Sequence, residues 1–249
     1  MTKQEFSDFC DRLESGTLRV AEKIGGKWVV NVEVKERILD GFRIGSPVQM
    51  GDYVDKDTVP ARKFSPADGV RLVPGGSGVR RGAFVSRGVV VMPPAYINIG
   101  AYVDEGTMVD SHALVGSCAQ VGKRVHLSAA SQLGGVLEPV GALPVIIEDD
   151  VFIGGNCGIY EGTVVKERAV IGSGVIITSS TPLYDATTGE WIRRNDAGQI
   201  VVPVGAVVVA GSRPLAQGAA AGVQLYCPVI VKYRDEKTSG SVRLEDLLR

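Results

Sequence analysis

Residues 91–133 read VMPPAYINIGAYVDEGTMVDSHALVGSCAQVGKRVHLSAASQL, and an aliphatic side chain recurs at every sixth position. An α-helix has a period of 3.6 residues and a simple strand a period of two, so neither explains this spacing. A six-residue repeat is typical of a parallel β-helix, in which each hexad is one short strand and a turn. Extended in both directions, the period gives one unbroken column: Val73, Val79, Val85, Val91, Ile97, Val103, Val109, Val115, Val121, Leu127 and Leu133.

The repeat is interrupted twice and then resumes. After residues 134–145, which we expect to bulge outward as a loop, the column continues in steps of six from Ile147 to Ile177. Residues 181–201 lose the period and carry the turn signals TTGE and NDAG, so they predict a projecting hairpin or arm. Val202 and Val208 then continue the column. In all, the pattern predicts about six coils of about eighteen residues each.

The chain divides into three parts around this repeat. We predict a small α-rich cap over residues 1–68, a β-helix over 69–213, and a C-terminal strand and helix over 214–249. In the cap, the sequence predicts a helix over Ser7–Leu13, two extended runs around Gly25-Gly26, and a second helix ended by Gly41 or Gly45. The strand of the last part is LYCPVIVKY, and its helix is SVRLEDLLR.

Composition excludes several classes of partner. The formal net charge is −1, so bulk electrostatics favours neither nucleic acid nor an anionic membrane. No apolar run is long enough to span a bilayer, and the start, MTKQEFSDFC, is too polar for a signal peptide. The four cysteines show no CxxC pairing, so we expect free thiols and a cytoplasmic location.

Any ligand of a β-helix must bind outside the axis of the helix, because side chains fill the interior. Ligands are therefore expected on faces, under loops or in grooves between subunits. Closed threefold symmetry would give three such grooves. The loop 134–145 and the arm 181–201 are the segments able to cover a groove. A long, thin pantetheine arm suits such a straight groove.

Longer motifs resemble one family. VMPPAYINIGAYVDEGTMVDSHALVGSCAQVGKRVHLS, GGVLEP and VIIEDDVFIGGN are similar to the tetrahydrodipicolinate N-succinyltransferase family. The likeness extends to RVAEKIGGKWV, GVRLVPGG, RRGAFV, VPVGAVVVAG and LYCPVIVK, which is most of the chain. The resemblance implies a left-handed β-helix, a homotrimer, and transfer of succinyl from succinyl-CoA to the amino group of ring-opened tetrahydrodipicolinate. It implies no permanently bound cofactor and no metal.

The resemblance also implies a set of site residues. From its spacing alone, Asp110 is either a turn residue or a catalytic group. We expect Asp104, Asp149 and Asp150 to be turn residues. The resemblance implies that Asp110 is the catalytic base. In the stacked register we expect Ser128 and Glu148 in the same column as Asp110. The acceptor dicarboxylate is expected at Arg71, Arg80, Asp110 and Ser117, since arginine binds carboxylates bidentately. Acyl-CoA is expected at Gly135, Gly155, Lys166, Gly174, Ser212 and Arg213, with Lys232 a further phosphate contact. We expect Arg81 and Arg87 on a solvated face.

The chain departs from the family at one run. Where the family's common form has Arg-Ser-Glu, this chain has Asn156-Cys157-Gly158. Glu161 matches a second glutamate of that family segment and is the second catalytic candidate. Loss of the arginine keeps acetyl-CoA open as the alternative donor, because acetyl carries no carboxylate that needs a cation.

The sequence also allows other functions. A histidine-dependent hexapeptide acyltransferase for another amine would use His112 or His126, the only two histidines. For His112 the competing interpretation is an exposed or interface residue. A zinc hydratase needs three histidines around its metal, and a purely structural ice-binding helix would show regular threonine arrays, which this sequence lacks.

Overall fold

The structure, a computed structural model, describes residues 1–215 and 222–235, so the predicted terminal helix SVRLEDLLR lies outside them. The N-terminal cap holds two α-helices and two antiparallel hairpins, followed by a 3-10 turn at Pro66–Asp68. These elements are α1 (Lys3–Glu14), β1 (Ala21–Ile24), β2 (Lys27–Val30), α2 (Val32–Ile44), β3 (Pro47–Met50) and β4 (Tyr53–Lys56). Within the described ranges, no helix is both long and apolar enough to cross a membrane.

The cap corrects two expectations. Helix α1 begins four residues before Ser7, because Thr2 and Glu5 form a capping box: the Glu5 amide donates to the Thr2 hydroxyl at 3.2 Å, and the Thr2 amide donates to the Glu5 carboxylate at 2.6 Å. The second hairpin was not predicted, although Gly51-Asp52 between its strands is a turn signal. The first hairpin turns at Gly25-Gly26, as predicted, and α2 ends at Ile44 with Gly45 as its C-cap.

Three parallel sheets form the three faces of a prism. Face 1 contains β6 (Gly78–Val79), β9 (Tyr96–Ile97), β12 (Leu114–Val115), β15 (Gln132–Leu133), β18 (Gly158–Ile159) and β21 (Ile176–Ile177). Face 2 contains β7 (Phe84–Val85), β10 (Tyr102–Val103), β13 (Gln120–Val121), β16 (Ile146–Ile147), β19 (Thr163–Val165) and β24 (Ile200–Val202). Face 3 contains β5 (Arg71–Leu72), β8 (Val90–Val91), β11 (Met108–Val109), β14 (His126–Leu127), β17 (Phe152–Ile153), β20 (Val170–Ile171) and the start of β25 (Ala206–Pro214).

The chain visits the faces in turn, so three successive strands make one coil of a parallel β-helix. Coil 1 begins at β6 and coil 6 at β21, which agrees with the predicted number of coils. We call the turns between faces edge 1–2, edge 2–3 and edge 3–1. Each edge is a stack of turns from successive coils, one strand spacing apart.

The predicted aliphatic column fills the axis from Val79 to Val208, and its members are at most 7% exposed. Strand residues alternate between the two sides of a sheet, so the second residue of each two-residue strand points inward. The expectation for Val73 is wrong: Leu72 pairs with Val91, and Val73 is only half-buried. The turn through Pro74 and Gly75 takes one residue more than a hexad allows.

Two excursions leave the coils where the period breaks. In the ladder of face 3, Val109 pairs with Leu127, 18 residues on, but Leu127 pairs with Ile153, 26 residues on. The excursion after β15 therefore adds eight residues to one coil. The second excursion forms a hairpin of β22 (Leu183–Asp185) and β23 (Glu190–Ile192), and Val202 then rejoins the ladder opposite Val165.

The predicted strand LYCPVIVKY lies within β26 (Gln224–Tyr233). It pairs antiparallel with β25 and parallel with β22, so it extends the sheet of face 3 beyond the last coil.

The cap packs against edge 1–2 and against face 2. Phe6 and Ile38 of the helices share a buried cluster with Ile99 and Cys118, which lie on edge 1–2. The hairpin β1–β2 packs on face 2, where Ala21 joins a cluster with Ile146 and Val164. Edge 3–1, by contrast, presents exposed residues at His112, Ala129, Asn156, Ser173 and Gly174.

Candidate functional site

Asp110 lies in the turn that follows β11, on edge 3–1. Its amide donates to the Leu127 carbonyl at 2.9 Å, which stacks it on Ser128 as predicted. Its Oδ1 accepts a hydrogen bond from the Ser111 amide at 2.7 Å, and among the described residues Oδ2 makes none. Asn98 and Asp104 make the same contact with the next amide, at 2.8 Å each. The turn contact alone therefore needs no charge, which leaves the carboxylate of Asp110 available for chemistry.

Gly155 and Gly174 lie on the same edge as Asp110. The Gly174 amide donates to the Gly155 carbonyl at 2.9 Å, and the Asn156 amide donates to the Ala129 carbonyl at 3.0 Å. Gly174 has φ +77°, and a Cβ built on it would meet no atom within 4 Å. From β11 to β20, three strand spacings or about 14 Å, the edge thus carries mostly small side chains.

The two histidines differ in environment. His112 is exposed on edge 3–1 in a left-handed conformation (φ 62°), with its amide donating to the Pro94 carbonyl at 2.5 Å. His126 is 8% exposed, and its ring centroid lies 5.1 Å from that of Phe152 on face 3. Only His112 is positioned near Asp110 on an open edge.

Ser117, Gly135 and Glu161 lie on edge 1–2. A Cβ on Gly135 would stand 3.0 Å from the Ser117 amide nitrogen, and the Ser117 carbonyl accepts from the Val136 amide at 3.0 Å. These two residues are therefore in contact. Glu161 is exposed further along the edge and accepts a hydrogen bond from the Ser179 hydroxyl at 3.4 Å.

Lys166 and Glu148 lie on edge 2–3, so the prediction that Glu148 shares a column with Asp110 is wrong. In the ladder Ile147 is one strand on from Leu133, not two, because the loop between them takes up eight extra residues. Glu148 therefore lies on edge 2–3, opposite Lys166. Glu148 accepts hydrogen bonds from Lys23 at 2.9 Å, Trp28 at 2.8 Å and Lys166 at 3.3 Å. Burial opposes its ionisation, but the hydrogen bonds from Lys23 and Trp28 and the charge of Lys166 outweigh burial and lower its pKa.

The candidate arginines of the first coil have different surroundings. Arg71 is exposed on the first strand of face 3. The Arg80 side chain is only 17% exposed; its guanidinium pairs with Asp55 and donates to the Val59 carbonyl at 3.3 Å. The expectation of a solvated face is wrong for Arg81, which pairs with Asp11 at 2.7 Å and Glu14 at 2.9 Å. Arg87 is exposed, and its guanidinium donates to the Ala67 carbonyl at 2.8 Å.

Ser212 and Arg213 lie on β25 beyond the last coil. The backbone of Arg213 pairs with Leu225, and its side chain lines a cavity with Arg193 and Arg194 of the arm. Sequence reasoning missed these two arm residues, although two adjacent arginines in an irregular segment were a visible signal. Lys232 pairs with Asp235 at 3.1 Å.

Within one chain, the candidate residues are thus divided among three edges. Asp110, Gly155 and Gly174 share edge 3–1; Ser117, Gly135 and Glu161 share edge 1–2; Lys166 lies on edge 2–3. Edge 3–1 offers a carboxylate at one end of a strip of small side chains, an arrangement able to hold a thin ligand and to accept a proton at its tip.

Comparison with known proteins agrees with this fold. Residues 144–179 match the family model described as hexapeptide repeat of succinyl-transferase, and residues 1–44 match tetrahydrodipicolinate N-succinyltransferase N-terminal. A solved structure from Campylobacter jejuni, a putative 2,3,4,5-tetrahydropyridine-2-carboxylate N-succinyltransferase, superposes with a TM-score of 0.54 at 16% identity. That superposition covers 97% of this chain and 64% of the other, and it supports the fold alone.

Full-length relatives are much more similar in sequence. The 2,3,4,5-tetrahydropyridine-2,6-dicarboxylate N-succinyltransferase of Pectobacterium atrosepticum is 47% identical, over 100% of this chain and 90% of that protein. The Edwardsiella ictaluri protein of the same name is 48% identical over the same shares. Identity at this level across the cap, the coils and the C-terminal strands shows common descent along the whole chain. The chain belongs to the tetrahydrodipicolinate N-succinyltransferase family.

Proposed function

We propose that this chain transfers a succinyl group from succinyl-CoA to the amino group of ring-opened tetrahydrodipicolinate, in diaminopimelate and lysine biosynthesis. The product is N-succinyl-2-amino-6-oxopimelate. Relatives with this name match the whole chain at 47–48% identity. The single structural observation that supports the proposal is the strip of edge 3–1, which begins at Asp110 and continues past Gly155 to Gly174.

The chemistry of the transfer sets a role for Asp110. The acceptor nitrogen attacks the thioester carbonyl, so a C–N bond forms, the C–S bond breaks and CoA leaves as its thiol. The ammonium group must first lose a proton, and a positioned carboxylate takes it. Oδ2 of Asp110 is the atom for this role, since Oδ1 already accepts from the Ser111 amide.

The acceptor carries two carboxylates, and we propose that Arg71 binds one of them. Arg71 is exposed and on the same face as the strand that precedes Asp110. Arg80 is a less accessible partner than the sequence suggested, because Asp55 already neutralises its guanidinium. Ser117 is proposed as a hydrogen-bonding contact to the acceptor, and Glu161 as the second catalytic carboxylate.

We further propose that the β-helix is left-handed and assembles as a homotrimer. The division of candidate residues among edges supports assembly, because Asp110 and Glu161 can meet at one ligand only if edge 3–1 of one copy faces edge 1–2 of another. Edge 3–1 is also the edge that the cap leaves exposed. Acyl-CoA would bind in that groove as a co-substrate and bring the acyl group with it, so the transfer needs no permanently bound cofactor.

Acetyl-CoA is the second candidate donor, and Asn156 favours it. This residue is exposed beside Gly155 on edge 3–1, so an uncharged side chain stands where the family's common form offers a cation for the succinyl carboxylate. The deciding experiment measures thiol release from succinyl-CoA and acetyl-CoA with tetrahydrodipicolinate as acceptor. We expect a higher kcat/KM for succinyl-CoA. A tenfold higher value for acetyl-CoA, about 1.4 kcal/mol of transition-state preference, would reverse the assignment.

A further inference from the structure

Lys35 is a fully buried lysine that has no role in the chemistry described so far. It lies on α2 of the cap, and its Nζ donates a hydrogen bond to the Ala142 carbonyl at 2.6 Å. Ala142 is 107 residues further along the chain, in the loop 134–145. Within the described ranges Nζ makes no other hydrogen bond, although a lysine side chain carries three donors. The side chain of Lys35 thus joins the cap to the loop.

The surroundings of Lys35 supply no compensating charge. No carboxylate in the described part of the chain forms an ion pair with it, and burial lowers its pKa from the ordinary value of 10.5. The neighbouring Cys118 thiol is no counter-ion at neutral pH, because burial raises its pKa to about 12. Burying a lysine in this way costs free energy, and a single hydrogen bond to a carbonyl offsets only part of that cost. Stability therefore does not explain a lysine at this position.

The loop that Lys35 holds begins at the proposed site. The Val136 amide donates to the Ser117 carbonyl at 3.0 Å, and Gly135 is in contact with Ser117. Cys118, which follows Ser117 in the chain, belongs to the buried cluster of the cap, and Leu137 of the loop packs against that cluster. The loop, edge 1–2 and the cap therefore contact one another beside Ser117.

We propose that Lys35 is a positioning residue for the transfer. By holding Ala142 it fixes the far end of the loop to α2, and so it fixes where Gly135 and Ser117 stand on edge 1–2. The proposal rests on the proposed function, in which Ser117 is a contact of the acceptor. A displacement of about 1 Å at a substrate contact lowers a rate by up to about a hundredfold, so an anchor far from the reacting atoms affects the rate.

Lys35→Met tests the proposal, because methionine fills most of the space of the lysine stem and removes the donor. We expect kcat/KM for the acceptor to fall roughly tenfold to a hundredfold. Deuterium exchange of the Val136 amide should become faster, since the loop is then held less firmly, while the amides of α2 keep their exchange rates. The thermal midpoint should change little, because the cost of burying the amino group disappears together with its hydrogen bond.

Lys56→Met is the matched control. The Nζ of Lys56 also donates to backbone carbonyls, those of Phe42 at 2.6 Å and Gly45 at 3.1 Å, but both lie within the cap. This control should leave kcat/KM and exchange in the loop unchanged. Leu137→Ala loosens the same loop without a change of charge, so it should reproduce both effects of Lys35→Met.

Unchanged kcat/KM or unchanged exchange of the Val136 amide in Lys35→Met would overturn the proposal. So would a loss of activity that follows a lower thermal midpoint, with loop and cap exchanging faster together, because Lys35 would then be a structural residue only. Failure of the proposed function is distinguishable: the wild type would not transfer succinyl, while exchange at Val136 would still depend on Lys35.

Discussion

At the residue scale, Asp110 is the position whose charge can be removed without disturbing its turn. Asn98 makes the same hydrogen bond to the next amide with an uncharged amide oxygen, so Asp110→Asn should preserve the turn. We expect kcat to fall roughly a hundredfold to ten-thousandfold, the contribution of a positioned base, with the oligomer intact. Steady-state kinetics and light scattering measure the two quantities.

His112→Asn is the matched control for Asp110→Asn. It lies on the same edge, is exposed and has a left-handed backbone, which asparagine tolerates. We expect a much smaller loss of kcat. The reverse pattern, with His112→Asn crippling and Asp110→Asn nearly silent, would place the chain among histidine-dependent acyltransferases.

Gly158 illustrates a departure from the family that packing explains. A Cβ at this position would stand 2.6 Å from Cε2 and 2.9 Å from Oη of Tyr160, so the tyrosine ring occupies the space of a side chain. We expect Gly158→Ala to lower the free energy of unfolding by about 1–3 kcal/mol through overpacking.

A double-mutant cycle checks this account of Gly158. In a Tyr160→Ala background only Ile176 Cδ1, at 2.9 Å, still crowds the added methyl group, so Gly158→Ala should cost less there than in the wild type. Denaturant unfolding of the four proteins gives the coupling. Equal costs in both backgrounds would mean that Tyr160 is not what requires glycine.

We predict that the contacts of Glu148 with Lys23 and Trp28 make the stability of the protein depend on pH. Its pKa is lowered in the folded protein from an ordinary value of 4.5, so its stabilising contribution is complete above that pH and is lost as the pH falls through the folded value. Glu148→Gln lacks the contribution at every pH. We expect the variant to be less stable at pH 7 by about 1.5–3 kcal/mol, and the gap to shrink below pH 4.5. Thermal unfolding of both proteins between pH 7 and 3.5 measures it; a gap that widens on acidification would contradict this account.

At the scale of the element, each two-residue strand has one inward and one outward side chain. Ile177 is fully buried in the axis, and its neighbour Ile176 is 36% exposed. Ile177→Ala should lower the free energy of unfolding by about 2–5 kcal/mol, because it leaves a cavity in the column. Ile176→Ala is the control and should cost clearly less. Similar losses at both positions would show that the column does not dominate stability.

The coils were predictable because every hexad repeats the same local environment. Once the column is known, the edge of any residue follows by counting in steps of eighteen, as Asp110 above Ser128 shows. The count fails where an insertion has unknown length in the ladder, which is why Glu148 was misplaced. It also fails at the start of the repeat. There the turn containing Pro74 makes the step from Leu72 to Val79 seven residues long instead of six. Cap hairpins and the arginines of the arm depend on tertiary contacts that the period does not encode.

At the scale of the whole molecule, one chain presents its candidate site residues on separate edges. Asp110 and Glu161 lie on edges 3–1 and 1–2, so a site that uses both needs two copies. Two variants that are each inactive should therefore restore each other's activity when their chains assemble together.

Mixed trimers of Asp110→Asn and Glu161→Gln chains test this expectation. Each variant alone should be nearly inactive. After co-refolding in equal amounts, about a quarter of the interfaces combine an intact Asp110 with a neighbour's intact Glu161, so about a quarter of the wild-type rate of succinyl transfer should return. A mixture that stays as inactive as its two components would contradict the account, because it would show that both residues act within a single chain.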